Sequence, residues 1–158
     1  MPEAQLDRFL VKISLGYPDK ESAVGILQGR GGAGHLGDIG AAAGRDEFER
    51  MMSDVRAVHV SEDLARYIVE LVELTRTHPH VGLGVSVRGG LALLNISKAR
   101  AFIKGRGFVI PDDVQALLPK VFGHRMIFRG GLRANAEEVL GEILSKVAPP
   151  VEDWDKRL

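Results

Sequence analysis

Hydrophobic residues recur at helical spacing along most of this chain, and this periodicity restricts the fold more than any other feature. The apolar positions of residues 61–78 fall on one face of a helix. Those of residues 87–104 form so broad an arc that they predict a central helix packed on more than one side. We therefore expect a mainly α fold, a helical bundle of about five or six helices. The other predicted helices cover residues 19–28 (burying Val24 and Leu27), 46–57, 111–119 and 135–144, the last capped by Asn135.

Residues 9–15 instead show the alternation of a β-strand. Phe9, Val11, Ile13 and Leu15 fall on one face of the predicted strand. No second strand pattern of similar quality follows, and a single strand leaves its backbone groups unpaired. We therefore expect a short N-terminal strand remnant, the end of a sheet whose other strands are absent, and a chain that is part of a longer protein.

Charge and motif content exclude several classes of function. Basic and acidic residues number 21 each, and the basic ones are dispersed, so we expect no nucleic-acid partner. The chain has no cysteine, and His78 and His80 lack a third ligand at metal-binding spacing, so we expect no metal site. There is no signal peptide and no apolar run of membrane-spanning length. These features favour a cytoplasmic protein without a membrane span.

The segment SVRGG, residues 86–90, is a poor first turn for the central helix. Ser86 is a good cap, but Arg88 puts a cation where the helix dipole favours an anion. Gly89 and Gly90 each cost about 1 kcal/mol relative to alanine. Either this turn faces a phosphate that Arg88 binds and the glycines let approach, or Arg88 is a solvated cation and the glycines admit a neighbouring helix. The residues by themselves favour the second interpretation.

Two separated stretches closely resemble the MoxR family of AAA+ ATPases. They are PEAQLDRFLVKISLGYPD at 2–19 and GLGVSVRGGLALLNISKARAFIKGRGFVIPDDVQALLPKVFGHRM at 82–126. The spacer VRAVHVSEDLARYIVELVELTRTHP also resembles the lid region of that family. The resemblance implies three parts, which are the end of an AAA+ core at 1–18, a helical lid of the AAA+ type at 19–147 with a flexible loop at 29–45, and a tail at 148–158.

The resemblance also implies roles for particular residues. Arg8, in LDRF, would be a catalytic arginine finger that acts in trans in the ATP site of a neighbouring subunit. Arg88, in SVRG, would be the sensor 2 arginine that contacts the terminal phosphates, although this motif has valine where the family usually has proline. Gly16, Tyr17 and Pro18, in GYPD, would form the hinge between core and lid, close to the adenine pocket.

The parent protein implied by this resemblance would be a homo-hexamer that uses ATP and Mg²⁺. It would couple ATP hydrolysis to chaperone-like remodelling or activation of client proteins, including clients with von Willebrand factor A domains. The lid's partner would be the AAA+ core domain of the same protein. The chain has no P-loop and no acidic Mg²⁺-binding motif, so we expect it to bind no cofactor and to be inactive by itself. The alternative is a stand-alone helical protein-interaction module that binds no nucleotide.

Overall fold

Six helices of eight or more residues make up most of the chain that is described here. The computed structural model describes residues 3–30, 39–129 and 136–151. A single turn, α1 (Glu3–Leu6), precedes the longer helices, and two short strands, β1 (Val81–Leu83) and β2 (Ile127–Phe128), pair antiparallel. This confirms the mainly α class with a short strand component and the expected number of helices. The longer helices are α2 (Lys20–Leu27), α3 (Arg45–Ala57), α4 (Glu62–Thr77), α5 (Val87–Ile103), α6 (Pro111–Phe122) and α7 (Ala136–Lys146).

The chain divides into two compact units, of which the smaller is Ile13–Met52. Its helix α2 begins as predicted, because the Asp19 carboxylate accepts a hydrogen bond of 2.8 Å from the Ser22 N–H. The predicted burial of Val24 and Leu27 is wrong, since these side chains are 43% and 86% exposed and the eight-residue α2 contains no buried residue. Of the predicted loop at 29–45, residues 31–38 lie outside the described residues.

The larger unit, Met1–Lys12 with Ser53–Leu158, has its hydrophobic core around α5. Helix α5 packs against both α4 and α6, and α7 packs against the same two helices. This confirms the prediction of a central helix. The largest side chains with no exposed surface are Leu64, Leu71, Leu93, Leu118 and Phe122.

Local signals in the sequence set most helix ends of this unit. Ser61 caps α4 by accepting a 3.2 Å hydrogen bond from the Leu64 N–H. Pro111 occupies the first position of α6, as predicted. The predicted end of α6 at Pro119 is wrong, because the helix continues to Phe122. One missing proline N–H is tolerated there because the last turn buries Val121 and Phe122 completely.

Asp113 joins the start of α6 to the preceding loop. Its carboxylate accepts two hydrogen bonds of 2.7 Å from Arg106 and one of 3.1 Å from the Ile110 N–H. Arg100 makes a further ion pair with Asp113 at 3.3 Å. Burial disfavours the carboxylate, but these donors outweigh burial and hold the pKa of Asp113 below its ordinary value.

The predicted strand at residues 9–15 does not form, so the location expected for the strand remnant is wrong. The strands that do form are elsewhere, with Val81 opposite Phe128 and Leu83 opposite Ile127. An alternating pattern becomes a strand only beside another strand. Here the Lys12 N–H donates instead to the carbonyl of Lys120, at the end of a helix, over 2.9 Å. Asn135, the predicted cap of α7, and residues 152–158 of the predicted tail lie outside the described residues.

Candidate functional site

The amino end of α5 carries Arg88 on the surface of the larger unit. Ser86 caps the helix, because its hydroxyl oxygen accepts a 3.2 Å hydrogen bond from the Gly89 N–H. The Arg88 side chain is exposed and makes no hydrogen bond or ion pair with any residue of the described ranges. A cation in this place gains nothing from the helix dipole, which favours anions at an amino end. Its five N–H donors therefore remain available to an external anion.

The two glycines that follow Arg88 are buried, and they face the protein interior. A Cβ atom on Gly89 would lie 2.4 Å from Val85 Cγ1 and 3.0 Å from the Cδ of Arg125. A Cβ atom on Gly90 would lie 3.1 Å from Cγ2 of Val72, in α4. The interpretation that both glycines clear the approach of a phosphate is therefore wrong. They permit close packing of α5 against its neighbours, as the alternative interpretation proposed.

Arg125 is the centre of a polar cluster next to this turn. Its side chain is 2% exposed, and its Nε lies 3.1 Å from Asp7 Oδ1. The same guanidinium donates to the carbonyl oxygens of Asp7 at 3.3 Å, Phe9 at 2.6 Å and Leu10 at 3.3 Å, and also to that of Val121. Burial lowers the pKa of Arg125, although the negative charge of Asp7 opposes this effect. Arg125 thus attaches residues 7–10 to the end of α6.

Asp7 also contacts the cap of α5. The Ser86 hydroxyl donates to the Asp7 carboxylate, with distances of 3.1 and 3.2 Å to its two oxygens. Asp7 therefore bridges Ser86 and Arg125, and the residue after Asp7 is Arg8. The Arg8 side chain is exposed and has no hydrogen-bond or ion-pair partner in the described part of the chain. The structure thus brings together the two segments that carry Arg8 and Arg88.

Gly16, Tyr17 and Pro18 belong to the smaller unit. Gly16 has a φ of +71°, a backbone conformation that glycine adopts without strain. The Tyr17 side chain is fully exposed. These three residues are exposed, have no regular secondary structure and precede Asp19, which caps α2.

The histidines considered as metal ligands make structural contacts. His78 is buried, and its Nε2 lies 3.1 Å from Glu142 Oε2 in α7. The backbone N–H of His80 donates to Nδ1 of His78, which leaves the proton on Nε2 for the bond to Glu142. Within the described ranges, no group of three or more His, Asp or Glu side chains is arranged to hold a metal ion. No helix of those ranges is long and apolar enough to cross a membrane.

Sequence reasoning did not identify Asp7 or Arg125 as parts of the site. One signal was present, because Arg125 follows VFGH and precedes MIF, a stretch rich in residues that are usually buried. A basic residue in such a stretch requires a buried carboxylate or several carbonyl acceptors. The sequence does not show that Asp7, more than a hundred positions away, supplies that carboxylate.

Three comparisons relate this chain to known proteins. The family model described as AAA lid domain matches residues 73–151, which include Arg88 and Arg125. Chaperone MoxR1 of Mycobacterium tuberculosis is 30% identical over an alignment of 162 residues, which covers 95% of this chain and 42% of that protein. An uncharacterized protein of Bacillus subtilis, YeaC, is 37% identical over 155 residues, covering 96% of this chain and 48% of its own length.

A solved structure shows the same fold. A crystal structure of a protein from Cytophaga hutchinsonii, proposed to be an ATPase, superposes with a TM-score of 0.83 and 28% sequence identity. The match covers 96% of this chain and 49% of that one. The chain spans about half the length of the curated relatives that it matches.

Proposed function

The chain belongs to the AAA lid domain family as the lid portion of a MoxR-like AAA+ ATPase, and from this premise we propose that it senses nucleotide through Arg88. In this proposal, a core domain of the same protein supplies the P-loop and binds ATP with Mg²⁺. The lid closes over the bound nucleotide, and Arg88 contacts its terminal phosphates as the sensor 2 residue. The observation that carries the proposal is the exposed, unpaired guanidinium of Arg88 in the first turn of α5.

The chemistry of Arg88 supports a phosphate partner. A planar guanidinium can bind two phosphate oxygens at once, and it remains charged at every physiological pH. Because Arg88 has no partner in the described part of the chain, it can bind phosphate without first breaking an ion pair. Free backbone N–H groups at the start of α5 add to the attraction for an anion.

We further propose that Arg8 is the catalytic arginine finger. Its side chain is exposed and unpaired within the described ranges, so it is free to reach into the ATP site of a neighbouring subunit. There it would stabilise the negative charge that develops on the transferred phosphoryl group. Residues 1–18 would be the end of the AAA+ core, 19–147 the lid and 148–158 a tail. Gly16, Tyr17 and Pro18 would be the hinge near the adenine ring.

The assembled protein would act as a homo-hexamer, since an arginine finger in trans requires neighbouring subunits. We propose a cytoplasmic location and chaperone-like remodelling of client proteins, including clients with von Willebrand factor A domains. The name of its Mycobacterium relative, a chaperone, supports this choice. The 158-residue chain by itself is expected to hydrolyse no ATP, because its sequence contains no P-loop.

The test uses the protein in which this lid is joined to its nucleotide-binding core. Arg88→Ala is compared with Arg56→Ala, which removes another exposed arginine whose side chain has no partner in the described part of the chain. Binding of fluorescent ATP and ADP analogues and release of phosphate are measured. We expect Arg88→Ala to weaken ATP binding or slow turnover by about tenfold or more, since a charge-assisted hydrogen bond contributes about 1.5–3 kcal/mol. Equal behaviour of the two variants would refute the sensor role.

Arg8→Ala separates the two proposed arginine roles. We expect nucleotide binding to persist while kcat falls by about a thousandfold or more, the usual effect of losing an arginine finger. In hexamers mixed from wild-type and Arg8→Ala subunits, activity should fall with the fraction of the variant. The alternative, an interaction module that binds no nucleotide, predicts that Arg8→Ala and Arg88→Ala change neither nucleotide binding nor turnover.

A further inference from the structure

We propose that Asp7 and Arg125 are positioning residues that couple the Arg8 segment to the amino end of α5. This inference rests on the proposed function, because it assigns Arg8 to the neighbouring subunit's ATP site and Arg88 to the chain's own site. The hydrogen bonds between Asp7, Ser86 and Arg125 would then make the position of Arg8 depend on the nucleotide that Arg88 contacts. Arg8 acts in the neighbouring subunit, so the nucleotide bound by one subunit would affect hydrolysis in the next.

Most of the hydrogen-bonding capacity of Arg125 is directed to residues 7–10. Nε and Nη2 bind the side chain and the carbonyl of Asp7, and Nη2 also donates to the carbonyl of Phe9. Nη1 donates to the carbonyl of Leu10. A guanidinium that is almost completely buried must keep such acceptors, because an unpaired buried charge is strongly destabilising. Residues 7–10 are therefore held against the end of α6, and their position follows any movement of Arg125.

The contact between Asp7 and Ser86 links this segment to α5. The hydroxyl oxygen of Ser86 accepts from the Gly89 N–H while its proton is donated to the Asp7 carboxylate. A cap of this kind functions without the second bond, so helix capping alone does not explain the presence of Asp7. Arg88 lies two residues after Ser86, and Arg8 directly follows Asp7. A shift of the first turn of α5 towards a phosphate therefore moves the hydroxyl to which the Arg8 segment is bonded.

Steric contact makes the coupling stiff. The backbone of Gly89 is so close to Arg125 that even a Cβ atom at position 89 would lie 3.0 Å from Cδ of that side chain. Arg125 therefore contacts the first turn of α5 by packing and the Arg8 segment by hydrogen bonds. A displacement of α5 acts on the Arg8 segment by two routes, through Ser86 and through Arg125.

The experiment uses the core-containing protein and two variants that interrupt the link at different points. Asp7→Asn keeps the size of the side chain but removes the charge that faces Arg125. Ser86→Gly removes the hydroxyl, and glycine is itself an accepted cap residue. Asp63→Asn is the matched control, because Asp63 is an exposed aspartate in the first turn of α4. Nucleotide affinity, kcat, the Hill coefficient for ATP and the melting temperature are measured for each.

We expect both link variants to lower kcat by about fivefold or more and to reduce the Hill coefficient, with nucleotide affinity changed less than about twofold. In an Arg8→Ala background the same changes should have little further effect on kcat, because the group that they position is already absent. A purely structural role would lower the melting temperature and reduce kcat by the same factor in both backgrounds. If Asp7→Asn does not fold, Ser86→Gly decides the question.

Two results would overturn the inference. The first is that both link variants have the same kcat and the same Hill coefficient as Asp63→Asn. The second is that Asp7→Asn and Ser86→Gly lower kcat by as large a factor in the Arg8→Ala background as in the wild type. These results leave the proposed function standing if Arg8→Ala and Arg88→Ala still impair the ATPase. If those two variants are as active as wild type, the proposed function fails and this inference fails with it.

Discussion

Replacing Gly89 with alanine tests whether the first turn of α5 is shaped by packing. Alanine improves helix propensity by up to about 1 kcal/mol. The added Cβ, however, would lie 2.4 Å from Val85 Cγ1, where ordinary carbon contacts are about 3.5–4.0 Å. Val85 is 1% exposed and Arg125 is held by hydrogen bonds, so neither can move aside freely. Overpacking of this kind costs about 1–3 kcal/mol, so we expect a net destabilisation of about 1 kcal/mol or more.

Two other helical glycines provide the comparison. A Cβ atom on Gly141, in α7, would meet no other side chain within 4 Å, so Gly141→Ala should stabilise the chain by about 1 kcal/mol. The stability of the Gly90→Ala variant should lie between those of Gly89→Ala and Gly141→Ala, because the closest contact of its added Cβ would be with Val72, at 3.1 Å. Thermal unfolding followed by circular dichroism should show shifts of about 2–4 °C for each kcal/mol, downward for Gly89→Ala and upward for Gly141→Ala. A Gly89→Ala variant as stable as Gly141→Ala would refute the packing argument.

Two further predictions concern the core and the acid sensitivity of the larger unit. Leu93→Ala, in the centre of α5, should lower the free energy of unfolding by about 2–5 kcal/mol, whereas Leu91→Ala, at a side chain 57% exposed, should change it by about 0.5 kcal/mol or less in urea unfolding. Equal effects of the two would contradict the placement of α5. The pKa of Asp113 is lowered in the folded chain, so its ionised form stabilises the fold at pH values above the ordinary carboxylate pKa. This stabilisation is lost as the pH falls through the lowered pKa. The melting temperature of Asp113→Asn should therefore lie below wild type at neutral pH and approach it below about pH 4, and a difference that is constant with pH would contradict this.

The candidate site could be predicted only in part. The helix start at Ser86 and the anomalous cation at Arg88 are both evident from residue types and spacing, since capping and dipole effects act within one turn. The roles of Gly89 and Gly90 depend on Val85, Arg125 and a neighbouring helix. No pattern within SVRGG shows whether a missing side chain makes room for a ligand or for the protein itself. Packing around α5 shows that the glycines make room for the side chains of Val85, Arg125 and Val72.

The sequence by itself determined the helices and most of their ends, because periodicity, caps and prolines act over a few residues. It also indicated the family, through the resemblance of residues 2–19 and 82–126 to MoxR-family proteins. Only the tertiary structure decided that residues 9–15 form no strand and that Asp7 meets both Ser86 and Arg125. A strand needs a partner strand, and residues 9–15 have none within the described residues. A buried guanidinium needs acceptors, and Arg125 finds them at residues 7–10, more than a hundred positions away. Local patterns carry no information about such distant partners, which packing of the whole unit selects.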